Sequence, residues 1–214
     1  MKRNIVTIAI LFIVSIAFAQ NANNAKSILD KVYSGYESSD GITLSFKATT
    51  QDASGAAFQP QEGKALIKGN KFKLTTEAMD VWFDGKTQWV LMKDINEVNI
   101  SNPTGQEIAA ISPLALLGMY KSGFSLKAPV SKTVNGKSAY VIDMIPASTN
   151  KDFKAVSVAI DKASNTVLQV NTTMNNGVKN KIDITNYNAN HKFADSEFVF
   201  NKNNHKGVEI VDLR

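Results

Sequence analysis

The sequence predicts a mainly β domain with a few helices (α+β), its strands forming an antiparallel sandwich or barrel. Three observations lead there. Apolar and polar residues alternate with period two over many short runs. Turn dipeptides such as Gly69-Asn70, Asn135-Gly136 and Asn176-Gly177 separate those runs. Helical periodicity is confined to two stretches, one before the first strand and one near the middle of the chain.

The chain has 214 residues. Lys2 and Arg3 precede an apolar run from Ile5 to Phe18, interrupted by Thr7 and Ser15. Ala17-Phe18-Ala19 then sets small residues before Gln20. This is the layout of a secretory signal peptide cut after Ala19. The run falls short of the ~20 residues that span a bilayer. Residues 1–19 are therefore expected to be a leader and residues 20–214 a single domain in the periplasm. With no cysteine in the chain, a lipid-modified N-terminus is excluded and the fold must rest on its core. Removing Lys2 and Arg3 lowers the formal charge from +5 to +3. No basic stripe interleaved with aromatics stands out, so nucleic acid is not an expected partner.

In the first helical stretch, Asn23 or Asn24 caps a run in which Ala25, Ile28, Leu29, Val32 and Tyr36 recur at helical spacing. About three turns are expected, ended by Ser39-Asp40-Gly41. Ile42, Leu44, Phe46 and Ala48 then alternate with polar residues as a half-buried strand. Further strands are read at 64–68, around Phe72 and Leu74, at 81–83, at 88–92, and around Val98 and Ile100. In the second half they fall within 132–145, at 154–160, 167–174 and 178–187, at Phe198-Val199-Phe200, and at 208–211. Ten or eleven strands with short connections imply a mostly antiparallel sheet.

The second helical stretch, 107–120, reads EIAAISPLALLGMY. Ser112-Pro113 is a helix start. Leu114, Leu116, Leu117, Met119 and Tyr120 then cover most of the circumference, which calls for burial on all sides. Either the helix presses one face on the sheet while the other lines a cavity, or it is a plain core helix inside a curled sheet.

Catalytic material is scarce. His191 and His205 are the two histidines, both in polar stretches without a carboxylate or second His at ligand spacing. No glycine-rich phosphate loop follows a strand. Asp80, Asp84, Asp143 and Asp161 sit at strand ends, where Asp serves turn chemistry. No enzyme activity, metal or cofactor is expected. Apolar side chains are in surplus instead, some of which can line a cavity in an incompletely closed barrel.

Several segments resemble the outer-membrane lipoprotein carrier (LolA) family. They are Leu44-Ser45-Phe46, Glu62 to Lys68, Asn70-Lys71-Phe72, Asp84-Gly85-Lys86-Thr87-Gln88-Trp89, Ser112 to Leu117, and Phe198-Val199-Phe200 followed by Gly207 to Asp212. The resemblance implies an unclosed antiparallel β-barrel covered by a helical lid, with an apolar cavity between. It implies a periplasmic carrier that receives lipoprotein acyl chains from an inner-membrane transporter and passes them to an outer-membrane acceptor. An envelope sensor of lipids or lipoproteins on the same fold is the alternative. A monomer is expected. The residues assigned to the cavity and lid are Phe46, Leu66, Phe72, Leu74, Trp89, Leu91, Leu114, Leu117, Met119 and Met144. One departure stands out. Family members place an Arg before a Pro where this chain has Lys68-Gly69-Asn70. That Arg latches the lid, so any latch here must be built differently.

Overall fold

The computed structural model describes residues 24–105, 107–108, 117–121, 123–148, 150 and 152–214. The leader, the Ser112-Pro113 helix start and Leu114 lie outside the described residues.

Helix α1 occupies residues 24–37, about four turns. Its apolar stripe is the expected one, since Ala25, Ile28, Leu29, Val32 and Tyr36 are all buried. Six strands then run as an antiparallel meander: β1 (Ile42–Gln51), β2 (Gln61–Lys68), β3 (Lys71–Thr76), β4 (Met79–Phe83), β5 (Gln88–Met92) and β6 (Glu97–Ser101). A second series follows residues 102–121. It comprises β7 (Phe124–Leu126), β8 (Val130–Val134), β9 (Lys137–Pro146), β10 (Phe153–Asp161), β11 (Val167–Met174) and β12 (Lys179–Asn188). The final strand is β13 (Glu209–Asp212).

All thirteen described strands join one sheet, in the order β13-β6-β5-β4-β3-β2-β1-β12-β11-β10-β9-β7, with β8 also on β9. The two series meet where β1 pairs antiparallel with β12. Among the described residues the ends of this order do not pair with each other, so the barrel is unclosed, and the only parallel pair described is β13 on β6. The α+β open-barrel class read from the sequence is therefore the observed one.

Local chemistry explains the turns. Asn135 (φ 50°) and Gly136 (φ 76°) both take positive φ, as a type I′ hairpin between β8 and β9 requires. At the β4–β5 turn, one carboxylate oxygen of Asp84 accepts from the backbone N–H groups of Lys86 (2.9 Å) and Thr87 (2.8 Å).

Two elements differ from the sequence reading. Phe198-Val199-Phe200 is not a strand. Residues Asp195–Phe198 form a 3-10 turn, and Phe198 is wholly buried. The Asp195 carboxylate takes Lys68 Nζ at 2.9 Å and Lys71 Nζ at 2.6 Å, which ties this turn across the end of the β2–β3 hairpin. Strand β7 has no counterpart in the sequence reading, being only three residues long.

Alternation sorts the apolar residues onto two faces. On the inner face, Ile42, Leu44, Phe46, Ile67, Phe72, Leu74, Val81, Phe83, Ile142, Met144, Val156 and Val158 pack with the α1 stripe, Leu117 and Tyr120. On the outer face, Trp82, Leu91, Val98 and Val208 form a separate cluster with Trp89, Ile100 and Phe200. The C-terminal segment seals that cluster. Phe200 and His205 lie 5.4 and 5.5 Å from Trp82, both edge-on.

Leu29 is fully buried and joins α1 to the inner face. Leu29→Ala is expected to cost about 3 kcal/mol of stability through the lost transfer term and the cavity left behind. Urea denaturation checks this by a lower midpoint at unchanged slope.

Candidate ligand-binding face

Burial along the inner rows is graded, and the gradient defines an opening. In β1 the inward residues pass from Ile42 (0% exposed), Leu44 and Phe46 under α1 to half-buried Ala48. The register places Ala48 opposite Ile182 and Phe46 opposite Ile184, both half-buried. Met79 and Val90 on β4 and β5, and Met174 on β11, are likewise half-buried and pack on the inner cluster. Ile108, Met119, Phe124 and Leu126 complete this half-buried apolar group from the segment that follows β6. The helix thus covers one end of the curled sheet, while the other end keeps soft and branched apolar side chains partly open.

The ten residues assigned from the sequence divide between the faces. Phe46, Phe72, Leu74, Leu117, Met119 and Met144 belong to the inner group. Leu66, Trp89 and Leu91 do not share that face. Leu66 alternates with inward Ala65 and Ile67 and stands half-buried on the outer side. Trp89 and Leu91 belong to the outer cluster beneath the C-terminal segment. Period two fixes that residues two apart share a face but not which face is concave. In β5, residues on both faces are buried, so apolarity gave no guide. Leu114 lies outside the described residues.

The sequence reading missed the half-buried members Met79, Val90, Phe124, Met174, Ile182 and Ile184. Only the strand pairing across the curled sheet brings Ile182, Ile184 and Met174 near Ala48 and groups them with Met79, Val90 and Phe124. It also missed a tether between α1 and residues 117–121. The Tyr120 hydroxyl donates to the Asp30 carboxylate. The Tyr33 and Tyr120 rings meet edge to face at 6.3 Å and 70°. Lys121 Nζ sits 3.5 Å from the centre of the Tyr33 ring. A Cβ on Gly118 would lie 3.0 Å from Tyr33, so a small residue is what lets the segments approach. Asp30 is also paired with Lys26 at 2.8 Å, one helical turn back. Lys26 first, and then Tyr120, hold the Asp30 carboxyl below its usual range. Burial first, and then Asp30, push the Tyr120 phenol above its usual range. At neutral pH the pair is therefore a phenol donating to a carboxylate. Gly69, where the resemblance implies a latching Arg, has no side chain, and the neighbouring Lys68 reaches Asp195 and the Phe193 carbonyl (2.8 Å) of the C-terminal segment.

Among the described residues no cluster of three or more His, Cys, Asp or Glu is placed to hold a metal. The face offers apolar contact and few polar groups.

A family model described as outer membrane lipoprotein carrier protein LolA matches residues 15–177. The chain belongs to this family. The matched span contains α1 and β1 through β11 and stops before the Phe198 to Asp212 resemblance. Among solved structures, an uncharacterized conserved protein from Thermus thermophilus aligns with 14% identity and a TM-score of 0.56, covering 88% of this chain and 99% of that one. A putative outer membrane lipoprotein-sorting protein domain from Vibrio parahaemolyticus aligns with 12% identity and a TM-score of 0.47, covering 86% and 99%. The lipoprotein LppX of Mycobacterium tuberculosis aligns with 12% identity and a TM-score of 0.43, covering 78% and 97%. At 14% identity the Thermus match speaks for the shared fold alone. No curated protein matches.

Tyr120→Phe keeps the ring and removes the hydroxyl. It is expected to lower stability by about 1 kcal/mol, the lower part of the range for a bond to a charged group because Asp30 is well exposed. Asp30→Asn in the Tyr120→Phe background should add little, giving a clear coupling in a double-mutant cycle. The folded pKa of Asp30 is depressed, so its contribution is present above the unfolded value of about 3.9. The stability gap between wild type and Tyr120→Phe should therefore narrow as pH falls below about 4, as measured by denaturation across that range.

Proposed function

We propose that this protein is an exported carrier that shelters the acyl chains of lipoproteins on its inner face and moves them from the inner to the outer membrane. The observation that carries the reading is the half-buried apolar group at the uncovered end of the open barrel. An acyl chain transfers from water with roughly 0.8 kcal/mol for each buried CH₂, so it cannot cross an aqueous space unprotected. A carrier must hide the chain and still give it up. Met79, Met119 and Met174 suit that task, because thioether side chains adapt to irregular partners without a rigid fit. The tether between α1 and residues 117–121 is modest in energy, which fits a cover that opens for loading and release. Membership of a family described as lipoprotein carriers supports the same reading. The leader read at residues 1–19 would deliver the chain to the periplasm, where an inner-membrane transporter and an outer-membrane acceptor are the proposed partners. No chemistry on this chain is required.

Mass spectrometry of protein purified from the periplasm is expected to find acylated cargo, and adding the protein to spheroplasts is expected to release newly made lipoproteins. Absence of both would end the carrier reading. Leu117 is nearly inaccessible (1% exposed), so a charge there would test folding rather than binding. Met119 is only half-buried. Met119→Glu is expected to weaken acyl-probe binding about ten-fold or more, with a thermal midpoint within a few degrees of wild type. Normal cargo loading in that variant would place the binding face elsewhere.

A further inference from the structure

The end of the sheet away from α1 holds two large apolar side chains out in water. Strand pairing gathers the turns of that end. Ala48 faces Gln61, Gly63 faces Thr76, and Met92 faces both Met79 and Glu97. The β1–β2 loop, the β3–β4 turn and the β5–β6 turn therefore leave the sheet on the side of half-buried Ala48 and Met79. Gln51 faces Lys179, which sets the β11–β12 turn at the same end. Phe58 stands on the β1–β2 loop and is 59% exposed. Ile95 stands on the β5–β6 turn and is 57% exposed. Among the described large apolar residues only Leu213 is more exposed.

Both side chains are held where they are by built turns. In the β1–β2 loop the Asp52 carboxylate accepts from the backbone N–H groups of Ser54 (2.9 Å) and Ala56 (3.0 Å) and from the Ser54 hydroxyl (2.6 Å). The Phe58 N–H donates to the Thr50 carbonyl at 2.9 Å. The β11–β12 turn abuts this loop, since a Cβ on Gly177 would lie 2.9 Å from the Ala53 side chain. Next to Ile95, Lys93 bonds the Thr76 carbonyl at 2.6 Å and pairs with Asp80 at 2.8 Å.

The surroundings restrict what the two side chains can meet. Residues 53–61 read ASGAAFQPQ, carry no charge and are all exposed. Between this loop and the two turns lies a cleft of about 1030 Å³, whose lining includes Lys47, Pro60, Glu62, Glu77, Lys93 and Asp94. Charged ground thus separates the two apolar tips. The core of a protein–protein interface is instead depleted of charge. The charges are also of both signs, and Lys93 is already paired, so the cleft is not a basic patch that would attract anionic lipid. A bilayer interface fits the arrangement. There a ring on an uncharged loop can sink among headgroups while the charges beside it stay hydrated.

We infer that the open end docks on the surface of a phospholipid bilayer, with Phe58 and Ile95 entering the interface as two apolar anchors. This rests on the carrier reading for what passes through the open end, and adds the surface that end meets. Docked in this way, the half-buried apolar group faces the headgroups, and an acyl chain can pass between bilayer and inner face without crossing water. The contact is weak by construction. A single acyl anchor binds membranes only marginally and reversibly, and two partly inserted side chains offer no more apolar surface than that. A carrier docked through them can leave again.

The test is flotation with vesicles of phosphatidylethanolamine containing a minor share of phosphatidylglycerol. Wild type is expected to float with the vesicles, with little change when salt is raised. Phe58→Ser and Ile95→Ser should each weaken vesicle binding by about 3- to 10-fold, the worth of partly burying one apolar side chain, and the double variant by more. Thermal midpoints and binding of a soluble acyl probe should stay as in wild type, because both side chains are exposed. A polarity-sensitive dye on Ala57→Cys, the one cysteine of that variant, should shift its emission to the blue on vesicles. The same dye on Lys86→Cys, in the β4–β5 turn at the α1-covered end, should not. Wild type that fails to float, binding abolished by salt, a double variant that floats like wild type, or equal shifts at both dye positions would overturn the assignment. Marked destabilisation of either Ser variant would overturn it too, by showing that the side chain serves the fold. A double variant that keeps vesicle binding but no longer releases lipoproteins from spheroplasts would mean that the tips meet a protein, and the bilayer assignment falls. The carrier reading is judged separately. Wild type that binds the acyl probe but not vesicles sinks the docking alone, and wild type that binds vesicles but not the probe sinks the carrier reading alone.

Discussion

A sheet of thirteen strands that curls without closing has two faces to hide, and the rest of the architecture follows from how it hides them. Neither face is polar enough to be left to water along its whole length. The outer face is sealed by the chain itself, which leaves β12, bends at Asp195, buries Phe198 and lays Phe200 and His205 against Trp82 before adding β13 to β6. The inner face is covered at one end by α1 and by residues 117–121, and is only half-covered at the other. The acyl ligand proposed above would lie on this partly open apolar surface.

The two coverings differ in kind. On the outer side the closure combines a paired strand, stacked rings and two ion pairs from one carboxylate. On the inner side the described residues of the two covering segments hold each other through a phenol–carboxylate bond, a ring pair and a cation over a ring. The first set is continuous with the sheet. The second joins two segments that also pack on the inner core through Leu29, Leu117 and Tyr120.

Much of this was legible from residue order alone. The α1 stripe, the strand positions and the Asn135-Gly136 hairpin rest on short-range physics, namely periodicity and the backbone angles particular residues accept. Failures came where a third dimension intervened. Leu66, Trp89 and Leu91 read no differently from inner-face residues, because alternation carries no sign. Phe198-Val199-Phe200 looks like a strand, yet Asp195–Phe198 turns as a 3-10 helix that buries Phe198, with Asp195 paired to two lysines of a distant hairpin. Asp30 and Tyr120 are 90 residues apart, and the first reads as a solvated helix position while the second reads as part of an apolar run.

The junction of β1 with β12 has a temporal meaning. These strands are partners over nine registered positions, and Thr50 meets Asn180 side chain to side chain across 130 residues of sequence. The six-stranded meander of the first half can form from local hairpins, but its β1 edge stays unpaired until almost the whole chain is available. Pairings of such sequence separation carry a large loop-closure cost before they return any stability, and they place a protein among the slow folders. For the exported chain proposed above that delay is an advantage, because it keeps the nascent polypeptide threadable until both halves have reached the same compartment.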